Sequence, residues 1–371
     1  MIFAIIDFSL LIIHNIYMKI KKNTKIFLIL TILFVIIYII LASTPLNKEY
    51  QFVTSWTKDI SHPEISTVNK DAEMSFYRLG QSAGYFTTEG EIINSLTFPY
   101  KITISDKFYA TYDSDTSDIP FYNIYGEKQG SINTSGFPFF QEDRVYVFLP
   151  GGSSVSMFNS KGNFLWTHEN VMPITAFGSS KNLTAIGYAN GLISIIDNIT
   201  GITLSDFKPD GSEIPVIIAL NISPDGKYCA CISGHNKQRF LLTEITENNQ
   251  KTIFHKYLDS DSTKQEFIKF TNDNSKVIYV CEKNIGLYDL KNKKDTVYPI
   301  KDDILSMKET DNLIFLLGKT DNKYTVYIIE KTNAKIGQFS FEASSAFIQT
   351  IDNALFVGKD NKLSKIEIKK D

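Results

Sequence analysis

The residues of this chain best suited to metal or redox chemistry are three cysteines and five histidines. Cys229 and Cys231 stand two apart, which places them on one face of a strand. Three cysteines cannot form a disulfide framework, and no pair among His168, His235 and His255 has zinc-ligand spacing. We interpret the thiols as small buried groups and the histidines as packing or solvated residues. No catalytic, cofactor-binding or metal-binding residue is assigned.

Aspartates recur in short polar turns between apolar segments. Converging carboxylates could act as general acid and base on a polysaccharide or peptide. Turn aspartates more commonly bond their own backbone and face water, although a ring of them could bind a cation or a basic partner. Two acidic, serine-rich loops, residues 113–119 and 259–266, are further candidates for recognition. The turn aspartates are Asp106, Asp143, Asp225, Asp273, Asp311 and Asp352.

The formal net charge of the 371 residues is -3. Nucleic-acid binding needs a basic face that neutralises phosphates. The acidic balance therefore argues against a nucleic-acid partner.

An apolar run without charges, Ile26–Ala42, follows a cluster of lysines. Seventeen helical residues extend about 26 Å, the short end of a membrane span. We expect a transmembrane anchor over residues 26–43, uncleaved, with residues 1–25 in the cytoplasm because lysines favour that side. The protein is then a single-pass protein of the cell membrane with its C-terminal domain outside the cytoplasm.

The first seventeen residues are also apolar but contain Asp7 and His14, so a second span is the weaker interpretation. Met18 is an alternative start, since the lysines and the apolar run that follow resemble an export signal. Residues 44–72 are expected to be a polar linker, and residues 73–371 the folded domain.

Apolar strand pairs joined by polar turns recur after the linker at intervals of about 40 residues, as in propeller blades. A second hairpin follows several of them, at residues 154–169, 191–207, 285–300 and 324–341. Each repeat then supplies four antiparallel strands, and blades arranged around an axis bury one another's faces. The first hairpins cover residues 101–112, 138–149, 174–188, 217–232, 267–281, 304–317 and 347–358.

The sequence therefore predicts an all-β fold, a propeller of seven blades, with eight as the alternative. Residues 363–370 form a third strand without a fourth, and we expect residues 91–98 to supply it. If residues 74–79 and 82–98 form their own blade, the count is eight. The inner two strands of each blade should be the most continuously apolar, and the outer strands should alternate with polar residues.

The hairpins at residues 152–166 and 189–204 resemble the repeat of quinoprotein-like propellers, and the SPDGK turn at residues 223–227 resembles that of WD40-like propellers. The resemblance covers residues 80–371 and concerns architecture, because these motifs are turn and packing chemistry. Quinoprotein dehydrogenases hold their cofactor with adjacent cysteines, acidic calcium ligands and a stacking tryptophan. Here Ala230 separates the two cysteines, and Trp56 and Trp166 are the only tryptophans. The resemblance therefore implies no cofactor.

These observations favour a protein-binding or scaffold module of a bacterial cell envelope, tethered by Ile26–Ala42 and recognising a protein partner through one propeller face. The alternatives are an exported enzyme acting on polysaccharide or peptide, and a propeller that senses a small ligand. Fold alone does not choose among them.

Overall fold

The computed structural model describes residues 25–39, 50–66, 72–113, 116–209, 211–246, 249–260, 262–332 and 334–370. The chain divides into two compact units, Met1–Gln51 with Lys369–Asp371, and Phe52–Ile368. In the first unit, residues 25–39 form an α-helix. The second unit is built from β-strands.

The expected transmembrane helix over residues 26–43 is not found. Among the described residues, no helix is long and apolar enough to cross a membrane. The helix over residues 25–39 would extend about 22 Å, whereas a bilayer core is about 30 Å thick. Residues 40–43, like the possible start at Met18, lie outside the described residues.

β-Branched and aromatic residues, which fit a pleated surface, dominate the strands. The first sixteen strands are β1 (Tyr50–Asp59), β2 (Met74–Leu79), β3 (Ser82–Thr87), β4 (Ile92–Thr97), β5 (Lys101–Ile104), β6 (Phe108–Tyr112), β7 (Ile119–Asn123), β8 (Lys128–Ile132), β9 (Phe137–Gln141), β10 (Arg144–Phe148), β11 (Ser154–Phe158), β12 (Phe164–Glu169), β13 (Ile174–Ser179), β14 (Leu183–Tyr188), β15 (Ile193–Asp197) and β16 (Thr203–Phe207). The remainder are β17 (Ile214–Ile222), β18 (Tyr228–His235), β19 (Arg239–Thr246), β20 (Asn249–Tyr257), β21 (Ile268–Phe270), β22 (Lys276–Cys281), β23 (Asn284–Asp289), β24 (Lys294–Pro299), β25 (Asp303–Glu309), β26 (Leu313–Thr320), β27 (Lys323–Glu330), β28 (Ala334–Glu342), β29 (Ala346–Ile351), β30 (Ala354–Lys359) and β31 (Lys362–Lys370).

The strands form eight sheets, which we call blades 1 to 8 in chain order. Blade 1 holds β2–β4, and blades 2 to 7 each hold four consecutive strands, beginning with β5 and ending with β28. Blade 8 holds β29, β30 and β31, with β1 added at its outer edge. The predicted hairpins from residue 101 to residue 358 are all confirmed as strand pairs.

Polar contacts join the innermost strands of neighbouring blades. The Gln141 amide in blade 3 donates to the carbonyl of Ser179 in blade 4 at 2.9 Å. The Gln349 amide in blade 8 donates to the carbonyl of Phe76 in blade 1 at 3.0 Å. The second contact joins the last blade to the first, so the ring of sheets is closed.

The expected burial pattern of the strands within each blade is confirmed for the outer strands and wrong for the innermost ones. Outer strands alternate as predicted, for example β16 and β28. The most continuously buried strands are the second and third of each blade, such as β22 and β27, and not the innermost. The innermost strands β9 and β25 expose alternate residues. One side of an innermost strand borders the central cavity, so it needs polar residues there.

The prediction of seven blades is wrong, since the structure has eight, the count given as the alternative. Residues 91–98 do not complete the C-terminal blade, because β4 pairs with β3 inside blade 1. The missing outer strand is β1, within the expected linker. The Ile60 amide donates to the carbonyl of Asn361 at 2.7 Å, and the hydroxyls of Thr57 and Ser364 lie 2.9 Å apart.

Among the described residues, blade 1 has no counterpart of the strand that is innermost elsewhere. In its β3–β4 turn, the Thr87 amide donates to the carbonyl of Glu91, and the Gly90 amide donates to the carbonyl of Thr87. The turn between the third and fourth strands of blade 3 has the same pattern, with Asn159, Asn163 and Gly162 in the corresponding positions. β2 therefore corresponds to a second strand and runs opposite to the other innermost strands. Consequently the first residues of β2 line the cavity, whereas the innermost strands of the other seven blades line it with their last residues.

Candidate functional site

The innermost strands of all eight blades line a central cavity of about 710 Å³. Its mouth lies where innermost strands turn back into second strands, together with the start of β2. This volume is within the range of about 300–1,000 Å³ found for small-molecule sites. The charged side chains that line it are Glu73, Asp106, Glu142, Lys181, Lys269, Lys308, Glu309 and Asp352.

The six turn aspartates predicted from the sequence all lie in turns between innermost and second strands, hence around this mouth. Several bond their own turns, as expected: Asp225 accepts from the Ser223 hydroxyl at 2.7 Å, and Asp273 from the Thr271 hydroxyl at 2.6 Å. Only Asp106 and Asp352 line the cavity. The Ser75 hydroxyl donates to Asp106 at 3.3 Å, which links blades 1 and 2.

Glu73 and Asp352 bring two carboxyl groups together at the mouth. A hydrogen bond with Asp352 and repulsion from its charge raise the pKa of Glu73. Glycosidase carboxyls stand about 5 Å or more apart, on either side of the bond they cleave. A directly hydrogen-bonded pair lacks that separation, and it is better suited to receiving a cation between its oxygens.

Lys269 and Lys308 enter the cavity from neighbouring innermost strands, β21 and β25. The Lys269 Nζ donates to the carbonyl of Met307 at 3.5 Å. The Lys308 Nζ lies 5.4 Å from the centre of the Phe76 ring in blade 1. Burial lowers the pKa of both ammonium groups, that of Lys308 to about 8, while Asp106 opposes the shift.

These two lysines are not among the candidate residues predicted from the sequence. In a short strand that otherwise alternates, a lysine resembles an ordinary solvated residue. The available signal was a polar residue close to the first turn of most repeats, as in Gln141, Asn221, Lys269 and Gln349. These side chains line one cavity because the first strands of the blades surround one axis.

The remaining candidate residues do not meet at this site. Cys229 and Cys231 are buried in the core shared by blades 4 and 5, and burial raises the pKa of the Cys231 thiol to about 12. His168 and His255 lie on outer strands, in different blades. Within the described ranges, no group of three or more His, Cys, Asp or Glu side chains could hold a metal ion.

The two acidic loops lie away from the mouth. Residues 113–119 connect β6 with β7, and residues 259–266 lead from blade 5 to blade 6, so both stand at the opposite ends of the strands. Residues 114, 115 and 261 are outside the described part. The description of these loops as connections within and between blades is confirmed.

Eight sheets around a polar axial cavity define an eight-bladed β-propeller. A family model described as "beta-propeller protein" matches residues 18–371, and the chain belongs to that family. A protein of Treponema pallidum (strain Nichols), described as uncharacterized, is 25% identical over 362 residues, covering 95% of this chain and 96% of that protein.

Two solved structures share the fold. BamB from Moraxella catarrhalis superposes with a TM-score of 0.59 at 13% identity, covering 85% of this chain and 100% of that one. The computationally designed Ika8 protein superposes with a TM-score of 0.57 at 12% identity, covering 84% and 99%. The predicted β-propeller is thereby confirmed at the level of the fold.

Proposed function

We propose that this propeller is a non-catalytic protein-binding module whose partner docks on the face that carries the cavity mouth. The observation that carries the proposal is the collection of charged side chains from seven blades around that one mouth. Loops and turns on a rigid ring are the usual place for recognition. Asp225 and Asp273 are occupied in holding their own turns, which argues against a catalytic role for them.

We further propose that the module works in the cell envelope of a bacterium. The lysines before the apolar run resemble an export signal. The resemblance of the hairpins at residues 152–166 and 189–204 to the repeat of quinoprotein-like propellers supports this placement. Separation of the cell into cytoplasm and envelope, with the chain detected by antibody, tests the location; recovery in the cytoplasmic fraction alone would contradict it.

Site-specific photo-crosslinking tests the docking face. Lys181 is exposed at the mouth, and Lys264 is exposed in the connection before β21, at the other end of that strand. A photoreactive amino acid at position 181 should capture a partner in living cells, and the same group at 264 should not. Capture from 264 alone, or from neither position, would overturn the proposal.

A further inference from the structure

Lys269 and Lys308 occupy the cavity without an acidic partner. Neither ammonium forms an ion pair with a carboxylate in the described part of the chain, and both side chains are half-buried. By contrast, Lys276 pairs with Asp289, and Lys331 pairs with Glu309 at 2.8 Å. Buried charges in proteins are normally paired, so a lysine pair of this kind is an incomplete site.

The acids that act on the two lysines are Glu309, Glu142 and Asp106, and none forms an ion pair with either. Glu309 pairs with Lys331, Glu142 accepts from Arg144 at 3.0 Å, and Asp106 accepts from the Ser75 hydroxyl at 3.3 Å. The lysines also repel each other, since Lys269 contributes to lowering the pKa of Lys308. An anion between the two ammonium groups would remove that repulsion and supply strong charge-assisted hydrogen bonds.

The side chains at the mouth carry negative charge, opposite to the charge of the two lysines. Glu73 and Asp352 lie in the segments that border the opening, whereas the lysines lie on strands β21 and β25. A ligand with two negative charges would be repelled by these acids on entry. A ligand with one carboxylate and a nearby cation matches both regions.

We propose that Lys269 and Lys308 bind the carboxylate of a peptide end, while Glu73 and Asp352 receive a basic side chain of the same peptide. This inference rests on the proposed function and specifies the chemistry of the partner. The recognised group is the same in a free peptide and in the C-terminus of a partner protein. The cavity volume accommodates a chain end and not a folded domain.

Calorimetric titration of the purified full chain tests the site. The probes are the peptide Gly-Ser-Gly-Lys-Gly with a free carboxylate, the same peptide as its C-terminal amide, free lysine, and inorganic phosphate. The free-acid peptide should bind at least about tenfold more tightly than the amide and than phosphate. Equal binding of acid and amide, tighter binding of phosphate, or no binding of the acid would overturn the proposal.

Free lysine separates the two sources of the carboxylate. Weaker binding of free lysine than of the peptide supports recognition of a chain end. Tighter binding of free lysine would overturn the peptide assignment, because the site would then recognise a small amino acid.

Charge-removing variants locate the binding. Lys269→Met and Lys308→Met should each weaken the binding of the free-acid peptide about tenfold or more. Lys264→Met, which removes an exposed charge at the opposite end of β21, should change affinity less than about threefold. Unchanged affinity in the first two variants would place the peptide elsewhere.

Acetic anhydride labelling of the unmodified protein provides a readout that needs no variant. The peptide used here carries arginine in place of lysine and an acetylated N-terminus, so that it does not itself react. When bound, it should protect Lys269 and Lys308, but not Lys264, from acetylation, as measured by mass spectrometry. Absence of protection at saturating peptide would contradict the site even if the variants failed to fold. Capture of a partner from position 181 without peptide binding would refute this inference alone and leave the docking face intact.

Discussion

Lys276 and Asp289 face each other across neighbouring strands of blade 6, and their side chains are 5% and 9% exposed. Asp289 also accepts hydrogen bonds from the backbone and side-chain amides of Asn292. The pair fixes the end of the β22–β23 hairpin. Removing one partner would leave an uncompensated charge in the protein interior.

Lys276→Met should lower the free energy of unfolding by about 3 kcal/mol, the cost of breaking a buried pair from one side. Urea denaturation at neutral pH measures it. Lys227→Met is the matched control, since the Lys227 side chain is 71% exposed and its contact with Asp225 is 3.7 Å long. That control should lose less than about 1 kcal/mol. Equal losses in both variants would contradict the role given to burial.

The same pair makes stability depend on pH. Burial raises the pKa of Asp289, but the hydrogen bonds from Lys276 and Asn292 outweigh it, so the pKa lies below the usual 3.8. A lowered carboxylate pKa stabilises the fold above the unfolded value, and this contribution is lost as pH falls through the folded pKa. In Lys276→Met the direction should reverse, because an unpaired buried carboxylate gains stability on protonation. Urea titrations at several pH values between about 3 and 7 give the slope of the unfolding free energy against pH for the natural chain and for the variant.

Lys308 should react as an unusually acidic lysine. Its ammonium has a pKa of about 8, because burial and the neighbouring Lys269 disfavour the charged form. Acetylation of Lys308 should therefore reach half its maximal rate near that pH. Mass spectrometry after brief labelling at a series of pH values gives the rate. A rate that reaches half its maximum only near the ordinary lysine value of about 10.4 would contradict the lowered pKa.

Residue types alone could not reveal the cavity lysines or the Lys276–Asp289 pair. In each case the decisive property is the neighbour across the sheet or across the axis, and that neighbour depends on the strand register. The turn roles of Asp225 and Asp273 were predicted because their partners lie two residues away, whereas Asp106 and Asp311 bond residues of neighbouring blades. Local chemistry was therefore predictable from sequence, whereas chemistry between blades was not.

At the scale of elements, both tryptophans of the chain occupy corresponding positions between neighbouring blades. Trp166 on β12 packs against Gly201 in the turn between β15 and β16 of the next blade. Trp56 on β1 packs with the outer edge of its indole against Gly90, in the corresponding turn between β3 and β4. Gly201 and Gly90 have φ angles of +70° and +71°, and a β-carbon at either would overlap the indole. Each tryptophan thus joins an outer strand to the following blade.

This equivalence explains why β1 was missed and how it could have been found. A single strand carries no repeat spacing, and its partner β31 lies about 300 residues away. The shared signal is Trp-Thr followed two residues later by an acid: Trp56-Thr57 with Asp59, and Trp166-Thr167 with Glu169. Trp166 lies in a hairpin that resembles a propeller repeat, whereas Trp56 lies in the segment expected to be a linker.

Trp56→Ala should destabilise the propeller by about 3 kcal/mol, the low end for truncation of a large aromatic. The indole is half-buried and lies 6.0 Å from the Phe356 ring, so its removal leaves a gap between blades 8 and 1. Val53→Ala on the same strand is the control, because Val53 is 42% exposed, and it should cost less than about 0.5 kcal/mol. Denaturant unfolding compares them; a Trp56→Ala loss as small as the control would show that the indole does not join the blades.

At the scale of the whole molecule, the number of blades depends on how the first and last sheets are completed. The repeats between residues 101 and 358 establish seven first hairpins. They do not establish how the ring is completed between the last of these blades and the first. Blade 1 has three strands and blade 8 borrows β1 from the N-terminal side, so neither matches the repeat pattern. The sequence therefore predicted the blade architecture and left the count dependent on two irregular sheets.

Closure by β1 gives the ring a defined weak point. A propeller gains stability because each blade buries its faces on two neighbours, and an opened ring exposes both faces at the break. Without β1, blade 8 would end in the unpaired edge of β31, and the indole contact with Gly90 would be lost. An exposed strand edge of this kind also promotes association between copies.

Two truncated chains separate this closure from the preceding sequence. A chain of residues 50–371 retains β1 and should unfold in one cooperative transition near the Tm of the full chain, since the compact propeller unit begins at Phe52. A chain of residues 60–371 should melt at least about 6 °C lower and be cleaved by protease first within β29–β31, because losing the strand and its indole costs several kcal/mol. Calorimetry and limited proteolysis measure both. Equal melting of the two chains would mean that the ring is held by the contacts between innermost strands, such as Gln349 with Phe76, and that β1 adds nothing to closure.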